Sequence, residues 1–142
     1  MYLVLLFLHF IGLALGVGTG FATLALGGAT RDLAPPERAA FMLRASAVGR
    51  NGGIGLGLLI LTGVGMMLMR GVSETFSWGG PAFHAKLGLV VVFCGVFGYL
   101  QSLVARAKRE QGGPAMAKIA KISPFVLLMS LAIVACAVIA FR

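Results

Sequence analysis

The sequence predicts an all-α integral membrane protein, a four-helix transmembrane bundle with both termini on the non-cytoplasmic side. Of its 142 residues, 59% are hydrophobic and only 11% are charged, and the mean hydropathy is +1.00. A soluble domain usually carries about 25% charged residues. A large hydrophobic core does not explain the low charged fraction, because a chain this short still exposes much of its surface. A lipid-facing surface explains the missing charge, and the 21 glycines suit closely packed transmembrane helices.

Four apolar segments, each near the ~20 residues that a helix needs to cross the hydrocarbon, define the spans of a single domain, residues 1–142. The spans are residues 2–28, 52–69, 81–105 and 122–141. The first is too long for a cleaved signal peptide and lacks its basic start, so we expect it to be retained. We expect the fourth to begin with Ser123 as the cap and Pro124 as the first helical residue. Between spans one and two, Pro35 and Pro36 predict a short helix at the membrane surface.

The distribution of charge predicts the topology. The loops after spans one and three hold nine of the 12 basic residues, namely Arg31, Arg38, Arg44, Arg50, Arg106, Lys108, Arg109, Lys118 and Lys121. The positive-inside rule places these loops in the cytoplasm. Both termini and the remaining loop then face the other side, with Trp78 as an interfacial anchor. The basic residues form no stripe interleaved with exposed aromatics, so nucleic acid is not an expected partner.

Small residues at helical spacing predict how the spans pack, because close backbone approach drives helix association in lipid. The stripes are Gly12, Gly16 and Gly20 in span one, Gly49, Gly53 and Gly57 in span two, and Gly88, Gly95 and Gly98 in span three. Span four has no such stripe, so we expect it to lie at the periphery.

The two histidines of the chain are candidate cofactor ligands. His9 precedes Gly12 by three residues and His84 precedes Gly88 by four, so both are predicted to project from a small-residue stripe into the bundle. Spans one and three run in the same direction, which brings both histidines to the outer half. Two such histidines are able to ligate one haem iron. The alternatives are a hydrogen bond across a helix interface for either histidine and an interfacial position for His84.

Lys86 follows His84 by two residues, on roughly the opposite side of the helix. It is either a lysine that snorkels to the headgroups or a cation that pairs with a propionate or another substrate carboxylate.

Two short motifs resemble those of the HemJ-type protoporphyrinogen oxidases and the related CopD-like proteins, which are small bacterial membrane proteins. At the start of span three, Phe83, His84, Lys86 and Leu87 are similar to their pattern of an aromatic residue followed by His-x-Lys-Leu. Leu8 and His9 resemble the Leu-His opening of their first span. The resemblance implies a bundle in the bacterial inner membrane that binds haem b, with His9 and His84 near the iron and Lys86 near an acidic group. In the HemJ branch it implies oxidation of protoporphyrinogen.

A second function fits the same sequence. An enzyme or transporter usually gathers several polar side chains around its site, and this chain offers few inside its spans. A non-catalytic structural or accessory subunit of a larger membrane complex is therefore the alternative. Besides the lipid bilayer, the expected partners are further copies of the chain or the other subunits of such a complex.

Overall fold

A computed structural model of the chain describes residues 1–78 and 80–140, and the regular structure in these residues is helical throughout. The helices are α1 (Tyr2–Ala29), α2 (Pro35–Ala45), α3 (Gly49–Arg70), α4 (Val72–Trp78), α5 (Gly80–Arg109) and α6 (Gly113–Ala140). A 3-10 turn, Ser46–Val48, joins α2 to α3 without an intervening loop. Four helical segments are long and apolar enough to cross a membrane, with α1, α3, α5 and α6 at their centres. This confirms the predicted fold class.

The two ends of the bundle differ in composition. One end, here called the basic end, carries α2, the last turn of α1 and the turn between α5 and α6. There the Arg38 guanidinium donates to the Gly27 carbonyl (3.4 Å), and Ala39 lies against Gly112. The other end, here called the Trp78 end, carries the start of α1, the short α4 and the exposed Trp78. The helix predicted at Pro35 is confirmed as α2, which ties α1 to the α5–α6 turn.

The fourth span begins earlier than predicted. Helix α6 starts at Gly113, with Pro114 in its first turn, and Pro124 lies inside it. The prediction that Ser123 caps a helix beginning at Pro124 is therefore wrong. The Ser123 hydroxyl instead donates to the Ile119 carbonyl (2.8 Å). A proline removes one backbone hydrogen bond from a helix, and a transmembrane helix tolerates this because hydroxyl side chains and neighbouring helices satisfy the freed groups.

Helices α1 and α3 form the closest contact in the bundle. A Cβ atom built on Gly55 would lie 2.7 Å from the Gly12 carbonyl oxygen, and one built on Gly12 would lie 2.9 Å from the Gly55 carbonyl oxygen. Both glycines are buried. The backbones therefore touch directly at this crossing, as expected for small residues at a helix interface in lipid.

Apart from Gly49, which contacts Gln101 of α5, the glycines of the stripes predicted for spans two and three do not form helix contacts. A Cβ atom on Gly53 or Gly57 would meet nothing within 4 Å, and the face of α3 that is buried carries Gly52, Gly55 and Thr62 instead. On α5, Gly88, Gly95 and Gly98 are exposed, and a Cβ atom on any of them would also meet nothing within 4 Å. Helix α5 buries Phe83, Leu103 and Ala107 instead.

The fourth span is not peripheral, contrary to the sequence-based expectation. Helix α6 packs along α5 and against α1, and Leu127 and Met129 are buried. The Leu127 Cδ1 atom lies 2.8 Å from the position of a Cβ atom on Gly20. A large side chain on α6 thus fills the space that a glycine leaves on α1, so one small-residue stripe is enough for this contact.

Candidate functional site

A hydrogen-bonded histidine joins α1 to α3 near the Trp78 end. The His9 Nδ1 atom lies 2.8 Å from the Thr62 Oγ1 atom, and Thr62 is only 3% exposed. The Thr62 hydroxyl donates to the Leu58 carbonyl of its own helix. Because a hydroxyl has a single hydrogen, the Thr62 oxygen must accept from His9, so we assign the proton to Nδ1. The other ring nitrogen, Nε2, then carries a lone pair that is able to bind a metal or accept a proton.

The close crossing of α1 and α3 places these two side chains together. His9 lies three residues before Gly12 and Thr62 seven residues after Gly55, so both lie on the Trp78 side of the crossing in antiparallel helices. The ring lies beside Gly63 of α3, where a Cβ atom would make an ordinary van der Waals contact with His9 Cε1 at 3.6 Å. The packing glycines therefore determine the position of the histidine.

Lys86, on α5, is partly buried. Of the three candidate residues, the structure places His9 at the contact between α1 and α3 and joins it there to Thr62. The signal for Thr62 in the sequence is that it is the only hydroxyl-bearing residue between 52 and 69.

His84 does not project into the bundle, so the predicted orientation is wrong for this residue. It is exposed, its Nδ1 lies 2.8 Å from the Gly80 carbonyl oxygen, and its ring centroid is 5.4 Å from that of Phe76. His84 and Lys86 are two residues apart, about 200° around a helix, so they lie on roughly opposite sides of α5, as expected. His84 lies on the exposed side, and Lys86 is partly buried.

The residues present fit a haem iron in part. His9 has the features of an axial ligand, because metal-binding histidines usually donate their other ring N–H to a fixed acceptor, here Thr62. Lys86 would supply a cation for a carboxylate. His84 does not converge on the same point, so the two histidines are not arranged to hold one iron within a single bundle. Within residues 1–78 and 80–140, no three His, Cys, Asp or Glu side chains gather at one point, so a bare metal ion finds no ready ligand set.

Two open cavities among the described residues lie at the basic end, one beside Leu103 and Lys118 and the other beside Leu33 and Phe41. Neither borders His9, which is partly exposed. Helices α3 and α5 are joined towards the basic end, where the Gln101 amide donates to the Gly49 carbonyl oxygen (3.5 Å).

No family model matches the chain, and neither a curated protein nor a solved structure matches it.

Proposed function

We propose that this chain is a haem-binding membrane protein of the redox or haem-biosynthesis type, placed in a bacterial inner membrane, with the His9 Nε2 atom as the ligand of a haem b iron. One observation carries the proposal: in the hydrogen-bond chain from His9 through Thr62 to the Leu58 carbonyl, Nδ1 is the donor, so the ring's lone pair lies on Nε2. The resemblance of the motifs at His9 and Lys86 to those of HemJ-type proteins supports it. When bound, the haem would supply the one-electron chemistry of its iron.

The protein's own residues have separate tasks in this proposal. Thr62 accepts a hydrogen bond from the Nδ1–H group and fixes the orientation of the ring, as the hydrogen-bond partners of metal-binding histidines do. Lys86 pairs with a carboxylate of the tetrapyrrole. The same pairing suits protoporphyrinogen, the substrate that the resemblance suggests, because that molecule is also a largely apolar ring with carboxylate arms. His84 lies outside this set.

A haem titration of the purified protein in detergent tests the proposal. We expect a Soret band that saturates at one haem per chain, and its loss in His9→Ala. His84→Ala is the matched control, since it removes the only other histidine from an exposed position, and it should keep the band. Lys86→Ala should keep the band with a weaker affinity. A wild-type protein that shows no Soret band after addition of haem would overturn the proposal.

One observation favours the second candidate, an accessory subunit of a membrane complex. The face of α5 that carries Gly88, Gly95 and Gly98 is open to close approach by another helix. In that case the bond between His9 and Thr62 is a structural link between helices, which is a common role for polar groups in membranes. A colourless wild-type protein that co-purifies with a stoichiometric partner chain would favour this candidate.

A further inference from the structure

A cavity of about 90 Å³ lies at the basic end, where α5 turns into α6. Its lining residues are Leu103, Arg106, Glu110, Pro114, Ala115 and Lys118. Two cationic side chains from different helices thus border one small space, and its apolar lining includes the buried Leu103 and Ala115. Pockets for whole small molecules usually measure about 300–1,000 Å³. The space suits a single phosphate-sized group.

The cavity lies at the depth of lipid headgroups. The apolar run of α5 ends at residue 105, so Arg106 is the first residue beyond it, and the apolar run of α6 begins at residue 122, four residues after Lys118. At 1.5 Å per helical residue, Lys118 lies about 6 Å outside the hydrocarbon. The headgroup region on each side of a bilayer is about 5–8 Å thick. Both cations therefore reach the layer in which lipid phosphates reside.

The charges around the cavity favour an anion. The two segments at the basic end, residues 30–51 and 106–121, contain nine basic residues and three acidic ones, Asp32, Glu37 and Glu110. Within the described part of the chain, neither Arg106 nor Lys118 forms an ion pair or a hydrogen bond with another side chain. Their charges are not neutralised by the protein itself.

Glu110 is the internal competitor for the same space. Its Oε2 atom lies only 2.7 Å from the position of a Cβ atom on Gly113, so the carboxylate lies over the first residue of α6. The N-terminus of a helix attracts negative charge. A phosphate entering the cavity would meet two cations and one carboxylate, and the carboxylate should weaken its binding.

We propose that this cavity binds the headgroup phosphate of one anionic phospholipid, held by Arg106 from α5 and Lys118 from α6. Basic pockets between transmembrane helices at the membrane surface are known to bind acidic lipid headgroups. The headgroup depth of the cavity and its apolar lining at Leu103 favour a lipid over a soluble anion, because the acyl chains of a lipid would lie alongside the apolar parts of α5 and α6. This site is independent of the proposed haem ligand at the other end of the bundle.

Native mass spectrometry of the detergent-solubilised full chain, titrated with phosphatidylglycerol, tests the proposal. We expect one tightly retained lipid per chain. The double variant Arg106→Gln/Lys118→Gln should raise the apparent Kd about 30-fold, which corresponds to about 1 kcal/mol for each basic residue near an acidic lipid. Glu110→Gln should lower the Kd about fivefold, because it removes one opposing charge of similar weight.

The matched control is Lys108→Gln/Arg109→Gln, which removes the same two residue types from the same helix end outside the cavity lining. It should change the Kd by less than about threefold, since it alters only the general surface charge. Arg106→Lys/Lys118→Arg should retain the lipid, and far-UV circular dichroism should show native helix content in all variants. An equal loss in the control pair would overturn the proposal, as would equal retention of phosphatidylcholine. Displacement of the lipid by millimolar inorganic phosphate would identify a site for free phosphate and would also overturn it.

Discussion

Replacing Gly55 by alanine probes the backbone contact between α1 and α3. The new Cβ atom would lie 2.7 Å from both the Gly12 oxygen and the Gly16 nitrogen, and 3.0 Å from the Leu15 Cβ atom. An ordinary contact begins at about 3.4 Å, so the helices must separate by about 0.7 Å. Backbone atoms have no rotamer with which to move aside. Overpacking of this kind costs about 1–3 kcal/mol. Because any glycine-to-alanine change inside α3 also gains helix propensity, we expect Gly55→Ala to be less stable by that amount than an alanine variant at an open glycine of the same helix.

Gly57→Ala is the matched control for this substitution. It makes the same chemical change two residues away on the same helix, at a position where the Cβ atom meets nothing within 4 Å. Since alanine is favoured over glycine in a helix by up to about 1 kcal/mol, this variant should be as stable as the wild type or slightly more stable. Unfolding by sodium dodecyl sulfate in mixed micelles, followed by far-UV circular dichroism, measures both. Equal stability of the two variants would refute the assignment of this interface.

Three further outcomes are expected. Thr62→Val should weaken haem binding about 10–100-fold in a Soret titration, because it removes the acceptor of the His9 Nδ1 proton, whereas Thr62→Ser should preserve binding. Leu127→Ala should lower the stability in the same micelle assay by about 2 kcal/mol or more, because it empties the space against Gly20; an unchanged unfolding curve would place α6 at the periphery after all. In a background without Cys94 and Cys136, Ser73→Cys should react with a membrane-impermeant maleimide in intact cells and Lys108→Cys only after permeabilisation, and the reverse pattern would invert the proposed topology.

The number of spans was predictable because hydropathy is a property of each segment alone. A run of about 20 apolar residues must cross the bilayer wherever its neighbours lie. The beginning of α6 was not predictable by the same reasoning. Pro124 is a strong helix-start signal in water, but a helix in lipid is able to continue through a proline. The true start, at Gly113 and Pro114, lies in a polar segment that hydropathy leaves out.

The faces of the helices were harder to predict than their positions. In lipid, both sides of a span are apolar, so the contrast that orients a helix in a soluble protein is missing. Helix α3 has small residues on two sides, and the contact with Gly12 selects the side of Gly55 over that of Gly53. The same ambiguity explains why His84 was expected on an inward face of α5 although it is exposed. For His9, the structure shows a hydrogen bond across a helix interface, which is one of the alternatives that the sequence left open.

Pro124 divides α6 into two parts with different surroundings. It has no N–H group to donate to the Ala120 carbonyl, so one backbone hydrogen bond of the helix is missing. This position lies between Ala115, which lines the cavity, and Leu127, which packs against Gly20. A helix bends most easily where one of its backbone hydrogen bonds is missing. Pro124 therefore separates the part of α6 that lines the cavity at the basic end from the part that packs against α1.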